Sequence, residues 1–208
     1  MKTLSQDEIF KRFSPYIRDF IYKNGWEELR EVQCRAASIL FGSEDNLLIT
    51  SPTASGKTEA ALFPILSMLE NRPSDSVDIL YVAPLKSLIN DQFARLDSLL
   101  EGHMPAFHWH GDVSSGAKEK FLKEPRGILQ ITPESLESML LHRSQDIPRI
   151  FGSACSEIDG VHDVTVGFFC PVGKLVKADF VGLGGEPGKI KPLRPLIDGT
   201  YTVLPTEA

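Results

Sequence analysis

Residues 51–66 read SPTASGKTEAALFPIL, and the setting of this run decides the fold. The five residues before it, NLLIT at Asn46–Thr50, form a short apolar stretch suited to a buried strand. From Lys57 to Glu70 apolar positions recur at helical spacing. A Gly-Lys-Thr where a strand meets a helix is the context a phosphate-binding loop requires. The helix start offers unpaired N–H groups and partial positive charge to a β-phosphate. Gly56 lets the backbone approach, Lys57 reaches the β- and γ-phosphates, and the hydroxyl of Thr58 is suited to hold Mg²⁺. The strict pattern opens with Gly, and Ser51 stands there instead.

Outward from this loop the chain alternates. Upstream, amphipathic helices are expected over Gln6–Tyr22 and Arg30–Phe41. Downstream, strands are expected at Asp78–Ala83, Ala106–His110 and Gly127–Thr132. Helices are expected over Leu85–Leu100, Ala117–Lys123 and Glu134–Leu141. Short apolar strands alternating with helices argue an α/β fold, a parallel sheet with helices on both faces. Right-handed crossovers then put the strand-to-helix loops on the carboxyl edge, where such sheets bind ligands.

Composition narrows the partners. The 208 residues are 42% hydrophobic and 24% charged, with a net charge of −6. That reads as a globular chain and not as a polycation, so any nucleic-acid contact must be local. No apolar run reaches the length of a membrane span, and the first residues lack the core of a secretory signal. Cys34, Cys155 and Cys170 are odd in number and widely spaced, which fits a reducing, cytoplasmic setting and no metal pattern.

After Phe151 the texture changes. Nine of the sixteen glycines and five prolines fall there, and helical period is lost. Val164–Phe169, Leu175–Leu183 and Thr200–Leu204 remain as possible strands, joined by hairpin or loop segments such as GGEPGKIKP. The expected organisation is a nucleotide-binding domain over 1–152 and an unassigned, poorly ordered Gly/Pro-rich tail over 153–208.

Four further features stand in order around the loop: Gln33 heading a helix, APLKSLINDQ (Ala83–Gln92), HGD (His110–Asp112) and ITPESLESML (Ile131–Leu140). The set resembles the first RecA-like domain of superfamily 2 DEAD/DEAH-box helicases, of the large-helicase-related (Lhr) type. PTASGKT by itself also resembles the loop of tRNA dimethylallyltransferases. The helicase resemblance implies ATP with Mg²⁺ as cofactors. It implies a nucleotide site formed by Gln33, Ser51, Thr53, Ala54, Ser55, Gly56, Lys57, Thr58 and Glu59, with Lys57 and Thr58 in the catalytic roles. An amide such as Gln33 both donates and accepts, as an adenine edge requires, and Trp26 is an aromatic available to flank the base.

The resemblance also implies sequence-independent contacts to single-stranded or duplex nucleic acid. Their carriers are Pro84, Leu85, Lys86, Gly111, Thr132, Pro133 and Glu134, using helix-start N–H groups and a few side chains. Trp109 reads as sheet core, and His142 with Arg143 as a charged helix end. The Asp-Glu pair that orders Mg²⁺ and water in such helicases has no clear counterpart. Glu157, Asp159, His162 and Asp163 lie in a segment that is no apolar strand. The expectation is an apparently truncated helicase domain that binds ATP and nucleic acid, with hydrolysis doubtful unless a second RecA-like domain acts in trans. A non-catalytic binding module is the alternative.

Overall fold

The structure is a computed structural model that describes residues 4–43, 46–50, 55–70, 75–152, 167–170, 174–179 and 201–204. It groups into two compact units, one of residues 1–70, 159–161 and 176–208, the other of 71–158 and 162–175.

The first unit holds α1 (Gln6–Arg12), α2 (Pro15–Lys23), α3 (Glu31–Gly42), β1 (Asn46–Thr50) and α4 (Lys57–Leu69). Ser5 and Glu8 close a reciprocal cap on α1, each side chain accepting from the other's backbone N–H. The single helix expected over Gln6–Tyr22 is two helices. Phe13 and Ser14 are extended, with ψ of 143° and 153°, and Pro15 opens α2. Proline disfavours the helical region for the residue before it, yet suits a first turn where its missing N–H is not needed. The N–H of Ser14 donates instead to Ser67 Oγ of α4 at 3.0 Å, and Ser67 Oγ donates on to the Phe63 carbonyl. Ile9, Ile17, Ala36, Leu40, Leu47, Ile49, Phe63 and Leu66 are buried in this unit.

Two of the tail strands pair with β1. β6 (Lys174–Asp179) and β7 (Tyr201–Leu204) flank β1, both parallel to it. The register runs from Leu47↔Val176 to Thr50↔Asp179 on one side and from Asn46↔Tyr201 to Ile49↔Leu204 on the other. Two strands parallel to the same neighbour need a crossover between them and not a two-residue turn. GGEPGKIKP lies outside the described residues.

The second unit holds β2 (Val77–Val82), α5 (Lys86–Leu100), β3 (Ala106–Trp109), α6 (Ser115–Lys123), β4 (Gly127–Ile131), α7 (Pro133–His142), α8 (Ile147–Phe151) and β5 (Gly167–Cys170). Its strand order is β3-β4-β2-β5. β3, β4 and β2 are parallel, as expected, and the tail strand β5 runs antiparallel to β2. Every residue of β2 and β4 is buried, which explains why they are apolar apart from Asp78 and Gln130. Gly127 starts β4 at φ 74°, its N–H donating to buried Asp78 Oδ2 at 2.9 Å. A β-carbon there would collide with the Pro105 carbonyl that receives the N–H of Ile128. Only glycine fits that crossing.

Three strands end level. The N–H of Ala83 donates to the Ile131 carbonyl, and that of Thr132 to the Trp109 carbonyl. The loops after β2, β3 and β4 therefore leave from one edge.

Candidate nucleotide and nucleic-acid sites

In the first unit β1 ends at Thr50 and α4 begins at Lys57. Ser51, Thr53 and Ala54 lie outside the described residues. Gly56 caps α4 in the left-handed region, φ 88° and ψ 26°, and its carbonyl accepts the first helical bond, from the N–H of Ala60. Lys57 is 3% exposed, while Thr58 and Glu59 are half-buried on the same turn. The Ser55 hydroxyl is buried and finds no hydrogen-bond partner among the described residues. An orphan hydroxyl next to a left-handed glycine and a helix start is a donor set suited to phosphate oxygens.

Gln33 is nearly fully buried on the first turn of α3. Its Oε1 accepts from the N–H of Arg30 at 2.9 Å, closing a cap, and its amide nitrogen lies against Gly56, 2.7 Å from where a β-carbon would stand. The glutamine thus reaches the phosphate loop itself. Trp26 is half-buried in an aromatic cluster, with ring centroids 6.1 Å from Phe20 and 5.9 Å from Phe63.

Asp179 ends β6 in register with Thr50. That pairing was not foreseen from the sequence, because nothing local says which strand LVKAD will join. Glu157 and Asp159 lie outside the described residues.

In the second unit, five of the seven residues expected to touch nucleic acid line one cavity of about 570 Å³: Pro84, Lys86, Gly111, Thr132 and Glu134. They come from three loops up to fifty residues apart, joined by the level ends of β2, β3 and β4. Leu85 and Pro133 flank it without lining it, Leu85 as the N-cap of α5 and Pro133 as the first residue of α7. Thr132 caps α7, accepting from the N–H of Ser135 and donating its hydroxyl proton to Ser135 Oγ at 2.9 Å.

The cavity adds residues not assigned from the sequence. Lys118 of α6, Trp109 of β3, and His142 and Arg143 at the end of α7 face the same space. Trp109 is 8% exposed, packed edge-on against Phe121, so it is core as expected and also wall. Lys118 Nζ sits 5.5 Å above its ring. Lys86 Nζ contacts both oxygens of Asp112 at 3.0 Å. The hydrogen bond from Lys86 and its charge hold the Asp112 carboxyl below its ordinary range. His110, whose Nε2 is 3.1 Å from Asn90 Oδ1, is pushed down chiefly by burial.

A strand–Gly-Lys-Thr–helix unit with ligand loops at parallel strand ends defines a phosphate-loop domain of the RecA-like class. A family model described as DEAD/DEAH box helicase matches residues 30–166. The chain belongs to that family, and its relatives mark it as the N-terminal RecA-like domain of the Lhr type. It is 36% identical over 120 residues to ATP-dependent helicase Lhr-Core protein 2 of Thermococcus barophilus, covering 49% of this chain and 14% of that protein. It is 34% identical over 145 residues to ATP-dependent helicase Lhr-Core of Saccharolobus solfataricus, covering 63% and 16%. The structure of Mycobacterium smegmatis helicase Lhr bound to ssDNA and AMP-PNP matches the fold at TM-score 0.65 and 19% identity, over 96% of this chain and 28% of that one. The chain thus spans about a seventh of those two curated relatives. Family membership also decides the reading of PTASGKT against a prenyltransferase. Among the described residues no helix is long and apolar enough to cross a membrane.

Proposed function

We propose that this chain is the ATP- and nucleic-acid-binding part of an ATP-dependent helicase, holding a single or double strand without reading its sequence. The observation that carries the reading is the convergence of Pro84, Lys86, Gly111, Thr132 and Glu134 on one groove. A RecA-like domain needs such a groove at its strand ends, and a buried hydrophobic core has no use for it. Free N–H groups at the starts of α5 and α7 and the ammonium of Lys86 bind phosphodiester oxygens and leave base edges unread.

In the first unit Lys57 binds the β- and γ-phosphates, and Gly56 and Ser55 line the loop. Gln33 ties that loop to α3 and favours adenine. Mg²⁺, when bound through Thr58, neutralises charge on the phosphate oxygens. Hydrolysis in such a domain calls for a placed carboxylate pair and a second RecA-like domain to activate water.

The test is nucleotide binding followed with a fluorescent ATP analogue, and single-strand binding followed with and without nucleotide. Lys57→Ala is expected to abolish nucleotide binding. Nucleotide is expected to change strand affinity, and equal affinity in both states favours a passive binding module.

A further inference from the structure

Lys86 is the most direct phosphate ligand in the groove, yet its ammonium is already occupied. Both carboxylate oxygens of Asp112 sit 3.0 Å from Lys86 Nζ. The pair is open to solvent, with side chains 49% and 70% exposed, so burial does not lock it. Gly111, which lines the same cavity, lies beneath the lysine: a β-carbon there would be 3.4 Å from Nζ. Lys118 enters from the other wall, its ammonium over the Trp109 ring.

A carboxylate thus holds the ammonium of Lys86, which lines a groove for a polyanion, while Lys118 lines the same cavity with its ammonium over Trp109. An exposed ion pair contributes little to stability, so fold maintenance gives little reason for this one. A carboxylate three ångströms from the principal phosphate ligand nevertheless opposes an incoming phosphate directly. We propose that Asp112 is a resident counter-anion of the nucleic-acid groove: it holds the Lys86 ammonium until a backbone phosphate displaces it, and so sets the affinity of the site. The proposal rests on the nucleic-acid reading of the groove. It makes binding an exchange of one oxyanion for another. A weak anionic place-holder keeps the Lys86 ammonium in position while letting the strand be released.

The experiment uses the full chain and a fluorescein-labelled single-stranded oligonucleotide, read by anisotropy across a salt series. Asp112→Asn keeps shape and removes charge. It is expected to tighten binding about three- to tenfold at low salt. The gain should shrink toward nothing at about 1 M salt, where the screening length is roughly 3 Å. Asp112→Glu, which keeps the charge, should stay within about twofold of the parent. Lys118→Ala should weaken binding and reduce the slope of log affinity against log salt by about 0.7. Melting curves of each variant confirm the fold. Unchanged or weaker binding in Asp112→Asn overturns the proposal, since a residue that merely positions Lys86 would lose affinity on substitution. If the parent chain shows no salt-dependent binding, the nucleic-acid reading falls and this inference falls with it. Parent binding with an indifferent Asp112→Asn sinks this inference alone.

Discussion

Gly56→Ala probes the junction on which the nucleotide reading depends. At φ 88° an alanine occupies the left-handed region, at a cost of about 1–2 kcal/mol. Its β-carbon would also stand 2.7 Å from the amide nitrogen of Gln33. Ordinarily a long side chain swings clear, but Gln33 is 2% exposed and its Oε1 is held by the N–H of Arg30. Moving it gives up that cap, about 1 kcal/mol. Together the substitution should destabilise the chain by about 2–3 kcal/mol, readable as a shift in the denaturant midpoint at constant m-value. The steric part is separable. In the Gln33→Ala background the obstacle and its cap are both absent, so Gly56→Ala should cost about 1 kcal/mol less there. Nucleotide supplies a second readout: at about a hundred times its dissociation constant it should stabilise the parent by about 2.7 kcal/mol and the variant far less. A cost below about 0.5 kcal/mol, or strict additivity of the two substitutions, would refute the contact between Gln33 and the loop.

Three further outcomes test the second unit. Gly127→Ala should destabilise by about 3 kcal/mol or more, because a positive φ and a collision with the Pro105 backbone act together; equilibrium unfolding measures it. His108 and His110 are both lowered from 6.5, chiefly by burial, so the unfolded state binds protons that the folded state refuses. Stability should therefore be level above about pH 7.5 and fall as pH drops through 6.5 toward the depressed folded values. A double His108→Asn, His110→Asn variant should flatten that limb. Gln130 is fully buried, and neither amide atom finds a partner among the described residues. Gln130→Leu should be stabilising by about 1 kcal/mol, and a loss of stability would reveal water bonded to that amide.

The strand–loop–helix at Thr50–Lys57 was legible because its cues are local: an apolar run, a Gly-Lys-Thr and a helical period follow one another directly. The gap between α1 and α2 was signalled by Ser14-Pro15, but the apolar positions keep helical spacing across it and mask the break. The tail could not be read in the same way. Leu175–Asp179 looks like a strand from sequence, yet joining β1 in parallel depends on residues more than a hundred positions away. That Lys118 and Arg143 line the groove was not legible for a related reason. Each looks like an ordinary charged residue on its own helix, and only the level ends of three parallel strands bring α6 and α7 to one cavity. His142 and Arg143 do form the charged end of α7, as their sequence suggests, and they line the groove as well.

The groove's charge sets how tightly such a domain can hold a strand. The chain as a whole carries −6, so distant residues contribute no net attraction. The attractive charges are the few that line the cavity: Lys86, Lys118 and Arg143. Two of them are tethered, Lys86 to Asp112 and Arg143 to Asp146 at 3.5 Å. If those three cations each neutralise one phosphate of a single strand, log affinity falls against log salt with a slope of about −2. Raising salt fourfold should then weaken binding about twentyfold, well short of the loss expected from the six to ten phosphate contacts of a dedicated duplex binder. A slope near −6 would mean that the strand leaves this groove and runs over a surface the three cations do not define. A slope near −2, lost stepwise in Lys86→Ala and Lys118→Ala, would locate the backbone at the carboxyl ends of β2, β3 and β4.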